Sequence, residues 1–87
     1  MKIEFDPVKA AKNLNKHGVS FEEAATCLLD PQALVDEDLD SEAEARWILL
    51  GMSQQARLLL VVYTLRGDSV RLISARKPTA KEVSYYA

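Results

Sequence analysis

Residues 46–76, RWILLGMSQQARLLLVVYTLRGDSVRLISAR, decide the fold of this 87-residue chain. Three mainly apolar runs, at 46–52, 58–65 and 70–76, are separated by short polar segments. Runs of this length are typical of strands, and short polar links between them favour antiparallel hairpins. We therefore predict three consecutive antiparallel strands. The second run is apolar on both faces, which indicates a strand in the middle of the sheet.

A helix is predicted before this sheet. Asp6 is a good N-cap, and Pro7 is favoured at the first helical position because its missing N–H would have no partner there. The helix should end near Lys16, because Gly18 can adopt the left-handed conformation that closes many helices.

The faces of this first helix are predicted from residue spacing. Val8, Ala11 and Leu14 lie three residues apart, and we expect them to form the buried side. A basic stripe is expected on another face, made of Lys9, Lys12, Asn13 and Lys16.

The remaining elements are shorter. Ser20 and Glu23 form a capping box that begins a second helix, and Pro31 ends it. A short strand, a weak strand, an acidic loop and a C-terminal helix are expected at 2–5, 33–35, 36–44 and 79–86. We predict one α+β domain over residues 1–87. It has a small antiparallel sheet of four to five strands, two N-terminal helices and a short C-terminal helix.

Charge is distributed unevenly along the chain. The net charge is −2, yet seven of the 13 acidic residues lie between positions 30 and 45, where there is no Lys or Arg. The rest of the chain holds 11 Lys and Arg against six acids. Salt confines electrostatic fields to roughly 8–10 Å, so this basic part can bind phosphate groups despite the negative total. The acidic stretch 36–44 is expected to keep RNA away from one side, although two ordinary solvated faces would give the same pattern.

Composition limits the kinds of site and location. No apolar run approaches the roughly 20 residues of a membrane span, and the acidic start is unlike a signal peptide. The single Cys27 excludes an internal disulfide and fits a reducing compartment, so we predict a cytoplasmic protein. One histidine, one cysteine and three glycines form neither a metal-ligand motif nor a glycine-rich phosphate loop, and no cofactor is expected. A Cys27–His17 nucleophile pair is formally available, but a buried apolar role is favoured for the cysteine.

Basic and aromatic side chains are the remaining candidates for chemistry. They are Lys9, Lys12, Lys16, His17, Arg46, Arg57, Arg71, Arg76, Lys77, Lys81, Tyr63, Tyr85 and Tyr86. Cleavage of RNA by its own 2′-hydroxyl group needs a base, an acid for the leaving 5′-oxygen, and cations around the charged phosphorane. Histidine titrates near neutrality and arginine suits phosphate, so this set fits RNA cleavage without a metal.

Each leading candidate also has a structural interpretation. His17 could cap the first helix, because a cation interacts well with a helix C-terminus. Arg76 could form a salt bridge at the sheet edge, and Arg46 could pair with an acid of the preceding segment. Arg71 could lay its aliphatic chain along the sheet.

Several motifs, in order along almost the whole chain, resemble the BrnT family of toxins. The most specific are KHGVSFEEA at 16–24 and ISAR at 73–76. The other matching positions are Phe5-Asp6-Pro7, Lys9, Asn13, Asp30-Pro31, Arg46, Gly51, Glu82 and Tyr86. The resemblance implies a RelE-like fold and a type II toxin that cleaves RNA, inhibiting translation and growth.

The resemblance also implies a site and partners. It favours His17, Arg46 and Arg76 as catalytic residues that converge on one phosphodiester. The further RNA-binding residues are expected to be Lys12, Lys16, Arg71, Lys77, Lys81 and Tyr86. The expected partners are an RNA substrate and a BrnA-like antitoxin with a ribbon-helix-helix DNA-binding region. The joint complex would repress its own operon, so operator DNA is contacted only through the antitoxin complex.

Two other functions compete with this one. In the first, the basic part of the chain docks an acidic or amphipathic segment of a DNA-binding partner and performs no catalysis. In the second, the chain binds DNA alone, although no basic recognition helix with helix-turn-helix spacing is present.

Overall fold

Five strands form one sheet in a computed structural model that describes residues 2–86. In chain order the elements are β1 (Lys2–Glu4), α1 (Pro7–His17), α2 (Phe21–Thr26), β2 (Leu34–Asp38), β3 (Arg46–Met52), β4 (Leu58–Arg66), β5 (Ser69–Arg76) and α3 (Ala80–Val83). The sheet order is β1-β5-β4-β3-β2. The predicted hairpins and the central position of β4 are therefore confirmed, as is the α+β class.

Two details of the sheet differ from prediction. The sheet is mixed, because β1 lies parallel to β5. Hairpin rules apply to strands that are adjacent in the chain, and β1 pairs with the strand furthest from it in sequence. In addition, β2 continues to Asp38 through acidic residues that we expected in a loop. Pairing with β3 outweighs the low strand propensity of these acids.

The two faces of the sheet have different roles. One face packs against α1 and α2 around a core that consists of Val19, Phe21, Ala24, Cys27, Leu49, Leu59, Val61, Tyr63, Val70, Leu72 and Ala75. Because side chains alternate along a strand, the opposite face carries the residues between these, and we call it the open face.

None of the helices within residues 2–86 has the length and apolar character that a membrane crossing requires.

The side of α1 that packs on the sheet is not the one predicted. Val8 and Leu14 are 62% and 51% exposed, whereas Asn13 is only 8% exposed. The Asn13 amide donates to the carbonyl of Ala75 at 2.8 Å and accepts from the Ala75 N–H at 3.1 Å. It also donates to the Val19 carbonyl at 3.0 Å. Within residues 2–86, strand β1 pairs with Ser69–Arg71 and does not reach Ala75. The amide, which we call the Asn13 clamp, therefore satisfies backbone groups further along β5.

Much of the KHGVSFEEA motif holds α2 against the β3–β4 turn. The Glu23 carboxylate is buried and accepts from Arg57 Nε at 2.9 Å and from Ser53 Oγ at 2.7 Å. A second Arg57 nitrogen donates to the Gly18 carbonyl. The hydrogen bond from Arg57 holds the pKa of Glu23 below its usual value, although burial opposes this. Ser20 caps α2 as predicted, but Glu23 turns to Arg57 instead of completing the capping box.

The buried apolar role that we expected for Cys27 is confirmed. Its side chain is fully buried in the core. Burial, followed by the nearby charges of Glu23 and Asp30, raises the pKa of the thiol to about 11. Because the thiolate is the nucleophilic form, a pair with His17 is not supported.

Replacing Glu23 with glutamine should destabilise the fold. Glu23→Gln removes the charge that Arg57 requires and should lower the free energy of unfolding by about 2 kcal/mol. Urea unfolding measures this. The matched control is Glu22→Gln, which changes an exposed residue and should cost less than about 0.5 kcal/mol. Equal losses in the two variants would contradict the assignment.

Candidate active site at the end of strand β5

Arg76 ends β5 and points to the open face, since its neighbour Ala75 is in the core. Its guanidinium group donates to both oxygens of Glu82, with Nη1 at 2.8 Å from Oε1 and Nη2 at 3.0 Å from Oε2. The Thr79 N–H donates to the same carboxylate at 2.8 Å. These bonds, with Arg76 the largest cause, lower the pKa of Glu82 to about 2. The salt bridge considered from the sequence is therefore present.

The Arg76–Glu82 pair has the geometry with which arginine also binds phosphate. Two parallel N–H bonds to two oxygen atoms are common to carboxylate and phosphate recognition. The Arg76 side chain is 38% exposed, so an anion from solvent can reach it. The guanidinium group of Arg76 is therefore an anion-binding group, and in this structure the Glu82 carboxylate is bound to it.

His17 lies at the same end of the sheet as Arg76. It is the last residue of α1 and is partly exposed. It follows Asn13 by one helical turn, a rise of about 6 Å. Because the Asn13 clamp is bound to the backbone of Ala75, the C-terminus of α1 is held beside the end of β5.

Arg46 lies at the opposite end of the open face. Leu50, Leu60 and Arg76 are aligned across β3, β4 and β5. Arg46 precedes Leu50 by four residues, about 13 Å along the strand, and β3 lies two strands or about 10 Å from β5. The two arginine Cα atoms are therefore about 16 Å apart. Arg46 and Arg76 therefore start from opposite ends of the open face, and the convergence of three residues on one phosphodiester stays a prediction.

The other predicted RNA-binding residues divide into two groups. Four lysines are exposed, two on α1 and two close in sequence to Arg76 and Glu82: Lys12, Lys16, Lys77 and Lys81. The other two side chains already have partners. Arg71 lies 3.7 Å from Glu4, and the Tyr86 hydroxyl donates to Asp30. This bond to Asp30 raises the pKa of Tyr86.

A groove on the open face was not predicted from the sequence. It has a volume of ≈ 550 Å³ and lies between β2, the floor of β3 and β4, and α3. Its lining residues are Leu34, Val35, Asp36, Glu37, Ile48, Leu50, Leu60, Glu82 and Tyr85. We call it the β2–α3 groove. The sequence did contain a sign of this groove. Strands β3 and β4 are apolar on their second face as well, and no predicted helix covers that face.

Acid should weaken the contact between α3 and β5. The folded pKa of Glu82 is about 2, below the usual 4.5, so its contribution to stability is present above pH 4.5 and is lost as the pH falls towards 2. Glu82→Gln should cost about 1 kcal/mol at pH 7 and progressively less below pH 4.5. Urea unfolding across this pH range measures the difference. A constant difference would show that the carboxylate charge is not what holds α3.

Within residues 2–86, no three His, Cys, Asp or Glu side chains are grouped so that they could hold a metal ion.

The family model described as "Ribonuclease toxin, BrnT, of type II toxin-antitoxin system" matches residues 5–82. No curated protein matches the chain.

Among solved structures, the fold is similar to that of the Brucella abortus ribonuclease toxin BrnT, with a TM-score of 0.69. The two sequences are 24% identical, and the alignment covers 91% of this chain and 97% of that one. This likeness supports the fold, and the family match carries the assignment because it spans most of the sequence. The chain belongs to the BrnT family of ribonuclease toxins, the toxin components of type II toxin–antitoxin systems.

Proposed function

We propose that this toxin, acting as a single domain, cleaves RNA without a metal ion at the end of β5, where Arg76 binds the phosphate and His17 moves a proton. The observation that carries the proposal is the bidentate anion site at Arg76, beside the α1 terminus that the Asn13 clamp fixes. Ribonuclease activity and a cognate antitoxin follow from the family; the site and the mechanism are our proposals.

The chemistry requires an RNA phosphate to displace Glu82. The 2′-oxygen then attacks phosphorus while the bond to the 5′-oxygen breaks, leaving a 2′,3′-cyclic phosphate and a 5′-hydroxyl. Arg76 stabilises the negative charge that grows on the phosphate oxygens. The 2′-hydroxyl loses its proton as its oxygen attacks, and the 5′-oxygen gains a proton as it leaves. His17 carries one of these two protons and a solvent water molecule carries the other.

The remaining basic residues extend the RNA path. Arg46 and Arg71 lie in β3 and β5 on the open face, and we propose that they contact phosphates further along the strand. Other contacts are proposed for the accessible lysines and for Tyr86 after it leaves Asp30: Lys12, Lys16, Lys77 and Lys81 supply charge, and Tyr86 can stack on a base.

The partner is proposed to be a BrnA-like antitoxin with a ribbon-helix-helix region, and operator DNA is bound only through that complex. A non-catalytic docking module is not favoured, because the family to which the chain belongs is one of ribonucleases.

Substitutions should distinguish the role of Arg76 from that of Arg46. Arg76→Ala and His17→Ala should each lower kcat for RNA cleavage roughly 100-fold or more, because each removes a group that acts on the reacting atoms. Arg46→Ala should act mainly on KM, by roughly tenfold or less, through a remote phosphate. Arg66→Ala is the matched control, since Arg66 pairs with the exposed Glu44 on the surface. A loss of kcat in Arg46→Ala with activity retained in Arg76→Ala would contradict the site.

Cleavage should continue in EDTA and should give the cyclic phosphate and 5′-hydroxyl ends. The physical reason is that the attacking nucleophile is the 2′-hydroxyl of the RNA, so no metal-bound water is needed. End-group analysis of an oligonucleotide, with and without EDTA, measures both points. Arrest by EDTA, or 5′-phosphate products, would show a different mechanism.

A further inference from the structure

The β2–α3 groove is an apolar surface beside the proposed RNA site. Its floor contains Ile48, Leu50 and Leu60 of β3 and β4, and Leu34 and Tyr85 stand at its two sides. Leu34 is 42% exposed and Tyr85 is 58% exposed. Exposed apolar side chains grouped around a concave surface are typical of a protein-binding groove.

The charge at the rim of this groove is negative. Asp36, Glu37 and Glu82 line it, and no Lys or Arg of residues 2–86 does. Glu82 is neutralised by Arg76, whereas Asp36 and Glu37 form no ion pair with other residues of this range. RNA would be repelled here, so the complementary occupant carries apolar side chains flanked by Lys or Arg.

The walls of the groove are held in place from both sides. Helix α3 is tied to β5 by the Arg76–Glu82 pair, and the residue three positions after its end, Tyr86, donates to Asp30. Strand β2 is paired with β3 along its whole length. A segment can therefore bind without first building the groove, which lowers the cost of association.

The position of the groove links binding to activity. Leu60, in its floor, is the cross-strand neighbour of Arg76, so the two side chains lie side by side on the open face. A segment seated on Leu60 would stand where RNA must approach Arg76. Inhibition by occlusion then needs no change in the fold of the toxin.

Two exposed apolar side chains, Val8 and Leu14, lie outside the groove, on α1. Exposed lysines are among their neighbours on this helix. Val8 offers a matched control, because it is apolar and exposed but lies away from the acidic rim.

We infer that the β2–α3 groove is the docking surface for the cognate antitoxin, which inserts an amphipathic segment with apolar anchors and flanking Lys or Arg and thereby covers Arg76. One part of this inference rests on the proposed function: that the bound segment blocks RNA from Arg76. The docking itself is independent of catalysis.

Calorimetric titration of the full-length toxin tests this inference. The probe is the purified antitoxin produced from the reading frame that neighbours the toxin gene. Leu34→Lys, on the edge strand, should raise Kd at least tenfold by removing an apolar contact and adding a charge of the occupant's own sign. Val8→Lys, the control on α1, should stay within twofold. Circular dichroism and urea midpoints show that each variant is folded.

Charge reversal provides the second arm. The double variant Asp36→Lys and Glu37→Lys should raise Kd at least tenfold at low salt. Binding by the wild type should weaken as salt rises from 50 to 500 mM, and the double variant should lose this dependence, because screening acts on attraction between opposite charges. Groove variants that bind like the wild type, or a loss confined to Val8→Lys, would overturn the inference.

Sedimentation of the toxin alone distinguishes another occupant. A dimer that Leu34→Lys dissociates would show that a second copy of this chain fills the groove, and this would also overturn the inference. Because Kd is measured without RNA, a toxin that binds antitoxin through the groove yet cleaves nothing would refute the proposed function and leave this inference standing.

Discussion

The buried amide of Asn13 connects helix α1 to strand β5. Asn13 bonds both the N–H and the carbonyl of Ala75 at the free edge of β5, and it also bonds the carbonyl of Val19. A buried amide with all three bonds made is stabilising, whereas losing them would leave backbone groups of β5 without partners. The position of α1 on the sheet depends on this contact. Because Ala75 precedes Arg76 and His17 follows Asn13 by one turn, the geometry of the proposed site depends on it as well.

The motifs that indicated a toxin act mostly on the fold. In KHGVSFEEA, the side chains of Val19 and Phe21 are in the core, and Glu23 is buried against Arg57. The proposed chemistry falls to residues on the open face and at helix ends. On this open face, Arg71 and Arg76 lie on β5, and an apolar groove with an acidic rim lies towards β2. We therefore propose adjacent surfaces for RNA and for a basic partner segment.

The hairpins of the sheet were predictable because their turns and apolar runs are local in sequence. The buried side of α1 was not, since a hydrophobic-spacing argument cannot detect a buried asparagine whose partner lies 62 positions away. The Glu23–Arg57 pair, 34 positions apart, was hidden for the same reason. The expected convergence of Arg46 and Arg76 overlooked a consequence of the predicted strands. Because β3 and β5 both run opposite to β4, the beginning of one and the end of the other lie at opposite ends of the sheet.

In the proposed mechanism, an RNA phosphate takes the place of Glu82 on Arg76, and His17 moves a proton. The most direct measurement is an NMR titration of the ¹⁵N-labelled toxin with a 2′-O-methyl oligonucleotide, which binds as RNA does but lacks the attacking hydroxyl. We expect the Nε–Hε signal of Arg76 and the ring signals of His17 to shift together and to reach saturation at one concentration. Saturable shifts elsewhere on the protein, with Arg76 and His17 unchanged, would contradict it.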